Sequence, residues 1–263
     1  MQRDELAAWL RLTGTPGIGN GSARRLLAAF GLPQAVLEQS GTALRQVISA
    51  AQVRALQSTS ESFEAQLDTT WGWLQGDNAD AARAGPQPVR RLLALGDADY
   101  PESLLRIEDP PLLLYLLGGP PLADFATTNS AFVPVQSASE AMQLIANSLL
   151  HGIALVGSRN PSAQGLEHAR QFAKALGRAG LTVVSGLALG IDAAAHQGAL
   201  DAAAEARPLA RLATLAVVGT GLDRVYPSRH HALAHRIAEC GLIVSEYPLG
   251  TPPLPANFPR RNR

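Results

Sequence analysis

The chain has 263 residues, 46% of them hydrophobic and 17% charged, and its formal charges cancel to zero. That balance supplies a real core and excludes a disordered tail, and no apolar run is long enough to cross a bilayer. The single cysteine, Cys240, excludes an internal disulfide framework and a Cys-based zinc site. Met1–Leu10 carries charge where a secretory leader would be apolar, so the cytoplasm is the expected compartment.

Residues 1–76 are expected to form a small all-helical domain. Leu6, Trp9, Leu10 and then Leu26, Leu27, Phe30 fall at helical spacing, with turns at Thr13–Gly19 and Gly31–Pro33. Thr15-Pro-Gly-Ile-Gly19, followed by Arg24 and Arg25, resembles a helix-hairpin-helix turn, but a single copy in an acidic segment reads first as a plain interhelical turn. Residues 77–88 read as a linker of Ala, Gly, Asp and Pro. Val89–Leu95 and Leu112–Leu117 are strand-like. Residues 121–138, rich in Thr, Ser and Pro, read as a surface loop, and Glu140–Leu150 as a helix.

From Ile153 the pattern turns regular. Strands at Ile153–Val156, Leu181–Val184, Leu215–Val218 and Leu242–Val244 alternate with helices at Ala163–Leu176, Ile191–Ala206 and Arg229–Cys240. This alternation predicts an α/β fold over residues 89–263, a Rossmann-like doubly wound parallel sheet with right-handed crossovers. The charge is polarised as well. Residues 1–150 carry −5 and residues 151–263 carry +5, with all six histidines in the second segment. Twenty-one of the 22 basic residues are arginines, whose planar fork suits phosphate oxygens. The C-terminal half is therefore a candidate for binding a polyanion.

In such a sheet, ligands sit at the carboxyl ends of the strands. Three strands here end in glycine turns that run into helices: Gly157-Ser-Arg159, Ser185-Gly-Leu-Ala-Leu-Gly190, and Gly219-Thr-Gly221. Glycine admits close backbone approach, and the first amides of a helix attract negative charge. The dinucleotide fingerprint and the Walker lysine pattern are both absent, so no nucleotide cofactor is expected.

Val156-Gly-Ser-Arg159, Val184-Ser-Gly-Leu-Ala-Leu-Gly-Ile-Asp-Ala-Ala-Ala-His196, Val218-Gly-Thr-Gly-Leu-Asp-Arg-Val-Tyr-Pro227, Ser245-Glu-Tyr-Pro-Leu-Gly250 and Asn257-Phe-Pro-Arg-Arg-Asn-Arg263 resemble the DprA/Smf DNA-processing proteins. The motifs stand in family order over residues 89–263. The resemblance implies an extended Rossmann-like core preceded by a helical domain. It implies a cytoplasmic, non-enzymatic protein that binds single-stranded DNA during natural transformation, helps load the recombinase RecA, and works as a homodimer. Family members usually continue past the Arg-Asn-Arg segment, where much of the dimer and recombinase surfaces would lie, and residues 121–150 look like an insertion.

On this reading Arg159 pairs with a phosphate, and the amides of Gly157, Ser158, Ser185, Gly186, Gly219 and Gly221, with Gly190 closing the second loop, supply further donors. Arg229, Arg261 and Arg263 extend the positive track. Tyr226 and Phe258 offer base-stacking faces, although Tyr226-Pro227 also reads as a packed turn and Phe258 as a core residue. Asp192 and Asp223 have no nucleophile or metal partner and read as caps or holders of loop amides. His196 reads as a hydrogen-bonded structural histidine, and His230, His231 and His235 as solvated groups beside the ligand. The alternative is a nucleotide-binding module or a phosphoribohydrolase-like enzyme of the same superfamily. Its Pro-Gly-Gly-x-Gly-Thr loop is missing, since this chain has Val218-Gly-Thr-Gly-Leu-Asp223.

Overall fold

The N-terminal segment folds as six short helices: α1 (Arg3–Gly14), α2 (Asn20–Phe30), α3 (Pro33–Leu37), α4 (Gly41–Leu44), α5 (Ala50–Gln57) and α6 (Phe63–Gln75). In this computed structural model, residues 1–76, 88–120, 131–132, 135–206 and 209–263 are described. The expected linker therefore lies outside the described residues except for Pro88, as does most of the expected 121–138 loop. Each helix follows from local chemistry. Leu6, Trp9 and Leu10 put one buried stripe on α1, and Asp4 and Glu5 oppose its N-terminal dipole. Ser49 and Gln52 close a reciprocal capping box at the start of α5.

The remaining elements are β1 (Arg90–Ala94), α7 (Glu102–Leu105), β2 (Leu113–Gly118), α8 (Ala138–Leu150), β3 (Gly152–Ala154), α9 (Ala163–Arg178), β4 (Thr182–Ser185), α10 (Ile191–Glu205), β5 (Thr214–Val217), a 3-10 turn (Ser228–His230), α11 (His231–Cys240), β6 (Leu242–Ser245) and α12 (Asn257–Arg261). Two compact units result: Met1–Ala79 with Leu92–Leu113, and Asp80–Arg91 with Leu114–Arg263. Within the first, Arg24 reaches Asp109 at 2.8 Å and the Pro110 carbonyl, which ties α2 to the returning segment. Tyr100 donates its hydroxyl to the Pro111 carbonyl at 2.6 Å.

The sheet has the order β1-β2-β6-β5-β4-β3. Strands β3 to β6 are parallel, with Ile153 opposite Val183 and Leu215 opposite Leu242. Strand β2 runs antiparallel to β6, with Tyr115 opposite Ser245, so the expected Rossmann-like core carries one reversed pairing. From β3 to β6 the connections all step in one direction, and right-handed crossovers then stack α9, α10 and α11 along one face. Small residues let α9 and α10 approach closely. A Cβ on Gly177 would stand 2.9 Å from that of Ala202. Arg170–Asp201, Lys174–Glu205 and Arg178–Glu205 pairs flank that seam at 2.7–3.0 Å. The Arg178 and Lys174 contacts hold the Glu205 carboxyl down at about 2.

The outermost strands of the sheet differ. On β1, Arg91 donates to the carbonyls of Gly118 and Pro120, and burial lowers its pKa. Strand β3 is exposed along its length, and Leu150 and Val156, which flank it in sequence, are 80% and 73% exposed. Among the described residues no helix is long and apolar enough to cross a membrane.

Candidate nucleic-acid interface

The carboxyl ends of β3, β4 and β5 meet α12. The first loop, Gly157 to Arg159, is exposed. Its Ser158 hydroxyl accepts the Asn160 amide, and its Ser158 carbonyl accepts the amide of Ile191 at 3.1 Å. Arg159 projects over the ring of Phe258, with its guanidinium carbon 5.6 Å from the ring centroid. Tyr226 also lies against Phe258, ring centroids 5.6 Å apart and tilted by 37°. Tyr226 is 48% exposed, and Phe258 is half-buried. Three of the residues singled out for DNA thus form one stack: guanidinium, ring, ring.

The second loop is bonded internally. Ser185 is buried and donates its hydroxyl to the Leu155 carbonyl at 2.6 Å, so it serves the sheet. Asp192 Oδ2 accepts the amides of Gly186 (3.2 Å) and Ala188 (3.4 Å), the amide-holding role expected for this carboxylate. The Gly186 amide is thereby committed within the protein. The Arg261 guanidinium occupies the space a Cβ on Gly186 would take, so a side chain at 186 would displace it. Gly190 has φ +79° and lies against the Ser158 carbonyl, where a side chain has no room.

The third loop is tied to α12. Asn257 donates from Nδ2 to the buried Gly219 carbonyl at 3.0 Å, and Tyr247 donates its hydroxyl to the Asn257 carbonyl at 3.1 Å. Burial of Tyr247 beside Glu246 raises its pKa to about 12. Gly221 gives its amide to the Thr251 carbonyl, which removes it from the expected anion donors. Asp223 accepts the Gly250 amide and pairs with Arg224, so it too holds a loop.

The arginines divide by circumstance. Arg159 and Arg229 are exposed. Arg261 is half-buried and donates to the Val217 carbonyl, with its Nε buried and unpaired. Desolvation lowers its pKa and the charge of Asp192 supports it. Arg263 is forked onto Glu246 at 2.6 and 3.0 Å, an internal pair the sequence reading did not anticipate. At the N-terminal turn, Gln52 donates to the Gly17 carbonyl at 2.7 Å, and Arg24 is already paired with Asp109.

The histidines behave differently from one another. His196 is fully buried between Leu187 and Thr214, the structural role expected. The His231 and His235 rings lie 4.5 Å apart, tilted by 60°, and no metal-ligating cluster exists among the described residues. His230 departs from the solvated reading: it is half-buried, with Nδ1 bonded to the Leu187 carbonyl at 3.0 Å. Sequence reasoning also missed Asn257, whose target lies 38 positions away. The signal was its place at the head of the Asn257-Phe-Pro-Arg motif, which carried the family resemblance but pointed to no partner.

A family described as DNA recombination-mediator protein A matches residues 141–263. Protein Smf of Synechocystis is 38% identical over 173 residues, 66% of this chain and 36% of that protein. Protein Smf of Escherichia coli is 35% identical over 229 residues, 87% and 47% of the two chains. DNA processing protein DprA of Streptococcus pneumoniae is 35% identical over 167 residues, 64% and 47%. The chain thus spans less than half the length of these relatives. The X-ray structure of the S. pneumoniae protein matches 100% of this chain and 73% of its own, with a TM-score of 0.66 at 25% identity.

Proposed function

We propose, for a chain that belongs to the DprA/Smf family of DNA-processing proteins, that the carboxyl edge of β3, β4 and β5 binds single-stranded DNA without sequence preference. The observation that carries the reading is the stack of Arg159 on Phe258 on Tyr226 beside Arg261. A guanidinium that can pair with phosphate stands next to aromatic faces that can take an unstacked base. In a duplex those base faces are already stacked, so single strands are preferred. Gly157 and Ser158 lie exposed beside Arg159, and Arg229 adds charge nearby. On this reading the site acts by binding, and Asp192 and Asp223 serve it by holding loop amides in place. We propose further a cytoplasmic role in which the bound strand is handed to a recombinase such as RecA; the family description, recombination mediation, supports the hand-over.

The test compares mixed-sequence single- and double-stranded oligonucleotides at low and high salt. Single strands are expected to bind more tightly, with log affinity falling against log salt by about 0.7 for each phosphate neutralised. Arg159→Ala is expected to weaken all single strands alike, by about tenfold, and to lower that slope by about one phosphate. Unchanged affinity would place the site elsewhere.

A further inference from the structure

Leu187 is the one non-glycine residue among those described with positive φ, at +56°, and it is 2% exposed. A γ-branched side chain does not settle there unaided, so its surroundings must hold it. Two histidines from different elements do so. The Leu187 amide donates to His196 Nε2 at 3.3 Å, and the Leu187 carbonyl accepts from His230 Nδ1 at 3.0 Å.

The protonation of His196 follows from its other neighbour. Its Nδ1 lies 2.7 Å from Thr214 Oγ1, and the Thr214 hydroxyl spends its only proton on the Val183 carbonyl at 2.7 Å. The proton between ring and hydroxyl must therefore sit on Nδ1. Nε2 is left as the acceptor that the Leu187 amide requires. Full burial keeps the ring neutral.

Leu187 follows Gly186, the residue on which the Arg261 guanidinium rests. The loop then continues to Gly190 against the Ser158 carbonyl, one residue before Arg159. We infer that His196 and His230 are positioning residues of the DNA site: they lock Leu187 in its left-handed conformation and thereby fix where Gly186 and Arg261 stand. This rests on the DNA-binding reading above, and neither histidine touches DNA in it.

The experiment uses the full chain and a mixed-sequence single strand of about 20 nucleotides. Nitrogen-15 NMR is expected to show His196 as the neutral Nδ1–H tautomer, with a slowly exchanging Leu187 amide. His196→Ala leaves that amide without its acceptor, so faster exchange and about tenfold weaker binding are expected. His196→Gln, whose side chain offers both an acceptor and a donor, is expected to restore affinity to within about threefold of the parent. His230→Ala, which removes the half-buried contact, is expected to cost about threefold.

If His196→Ala binds within about twofold of the parent while Arg159→Ala is weakened, the inference is overturned and the site reading stands. If His196→Ala does not fold, the glutamine variant decides: restored binding supports the lock, and a folded but weak glutamine variant overturns it. If Arg159→Ala leaves affinity unchanged, the site reading fails. The exchange rate of Leu187 in the His196 variants then decides alone, and an unaltered rate removes the lock.

Discussion

The loops after β3 and β4 end neighbouring parallel strands and begin in glycine-containing turns, yet they are built in opposite ways. Gly157-Ser-Arg159 is exposed and lends its side chain outward, so that Arg159 lies across an aromatic ring. Ser185–Gly190 is turned inward, its Gly186, Leu187 and Ala188 amides taken up by Asp192 and His196. The contrast separates two tasks within one edge. A loop that has spent its amides on the protein is a platform with fixed shape, and a loop with a free guanidinium is the part that reaches. Glycine spacing alone does not distinguish them, because both tasks need a tight exit from a strand.

The largest expected effect that would break this contrast comes from the platform. Asp192→Ala removes the acceptor of two amides and the carboxylate that supports Arg261, so unfolding stability is expected to fall by about 3 kcal/mol in denaturant titrations. Acid sensitivity of the same platform is an effect of the same order. Burial, with the charges of His230 and Arg261, lowers the His196 pKa from 6.5 to about 3. The unfolded chain takes up a proton below pH 6.5 that the folded chain refuses until pH falls to about 3. Stability from this residue is therefore complete above that window and declines through it as pH falls, by about 1.4 kcal/mol per pH unit at the limiting slope. His196→Gln should flatten the decline, as read by thermal denaturation across pH.

The reaching loop is expected to behave in the reverse sense. Arg159→Ala should change stability by less than about 0.5 kcal/mol, as for an exposed residue, while DNA affinity falls. The smallest effect is expected for Arg263→Ala. Its fork onto Glu246 already occupies the guanidinium, so DNA affinity should shift by less than about twofold. A loss as large as that of Arg159→Ala would show that the Glu246 pair opens to the ligand.

Much of the fold was legible because parallel strands are apolar runs separated by helices of a suitable length. The strands β3 to β6, and the glycine turns that follow β3, β4 and β5, stand where the pattern put them. The reversed pairing of β2 with β6 was not legible, since the partners Tyr115 and Ser245 lie far apart in sequence and strand direction leaves no mark on an apolar run. At the site, the stack of Arg159, Phe258 and Tyr226 brings together residues picked out separately. What stayed hidden was which amides were already engaged. Leucine gives no warning of a left-handed backbone, as glycine or asparagine would, and the asparagine that anchors α12 reads as one more polar residue in a loop.

The outer side of β3 bears on how any such measurement is made. Among the described residues no strand pairs with that side, and Leu150 and Val156, which flank β3 in sequence, are exposed; an unpaired strand edge with apolar neighbours is open to pairing with a further segment, of the same chain or of a second molecule. Protein concentration becomes an experimental variable in its own right: titrations in the micromolar range and crystallisation drops need not sample the same species.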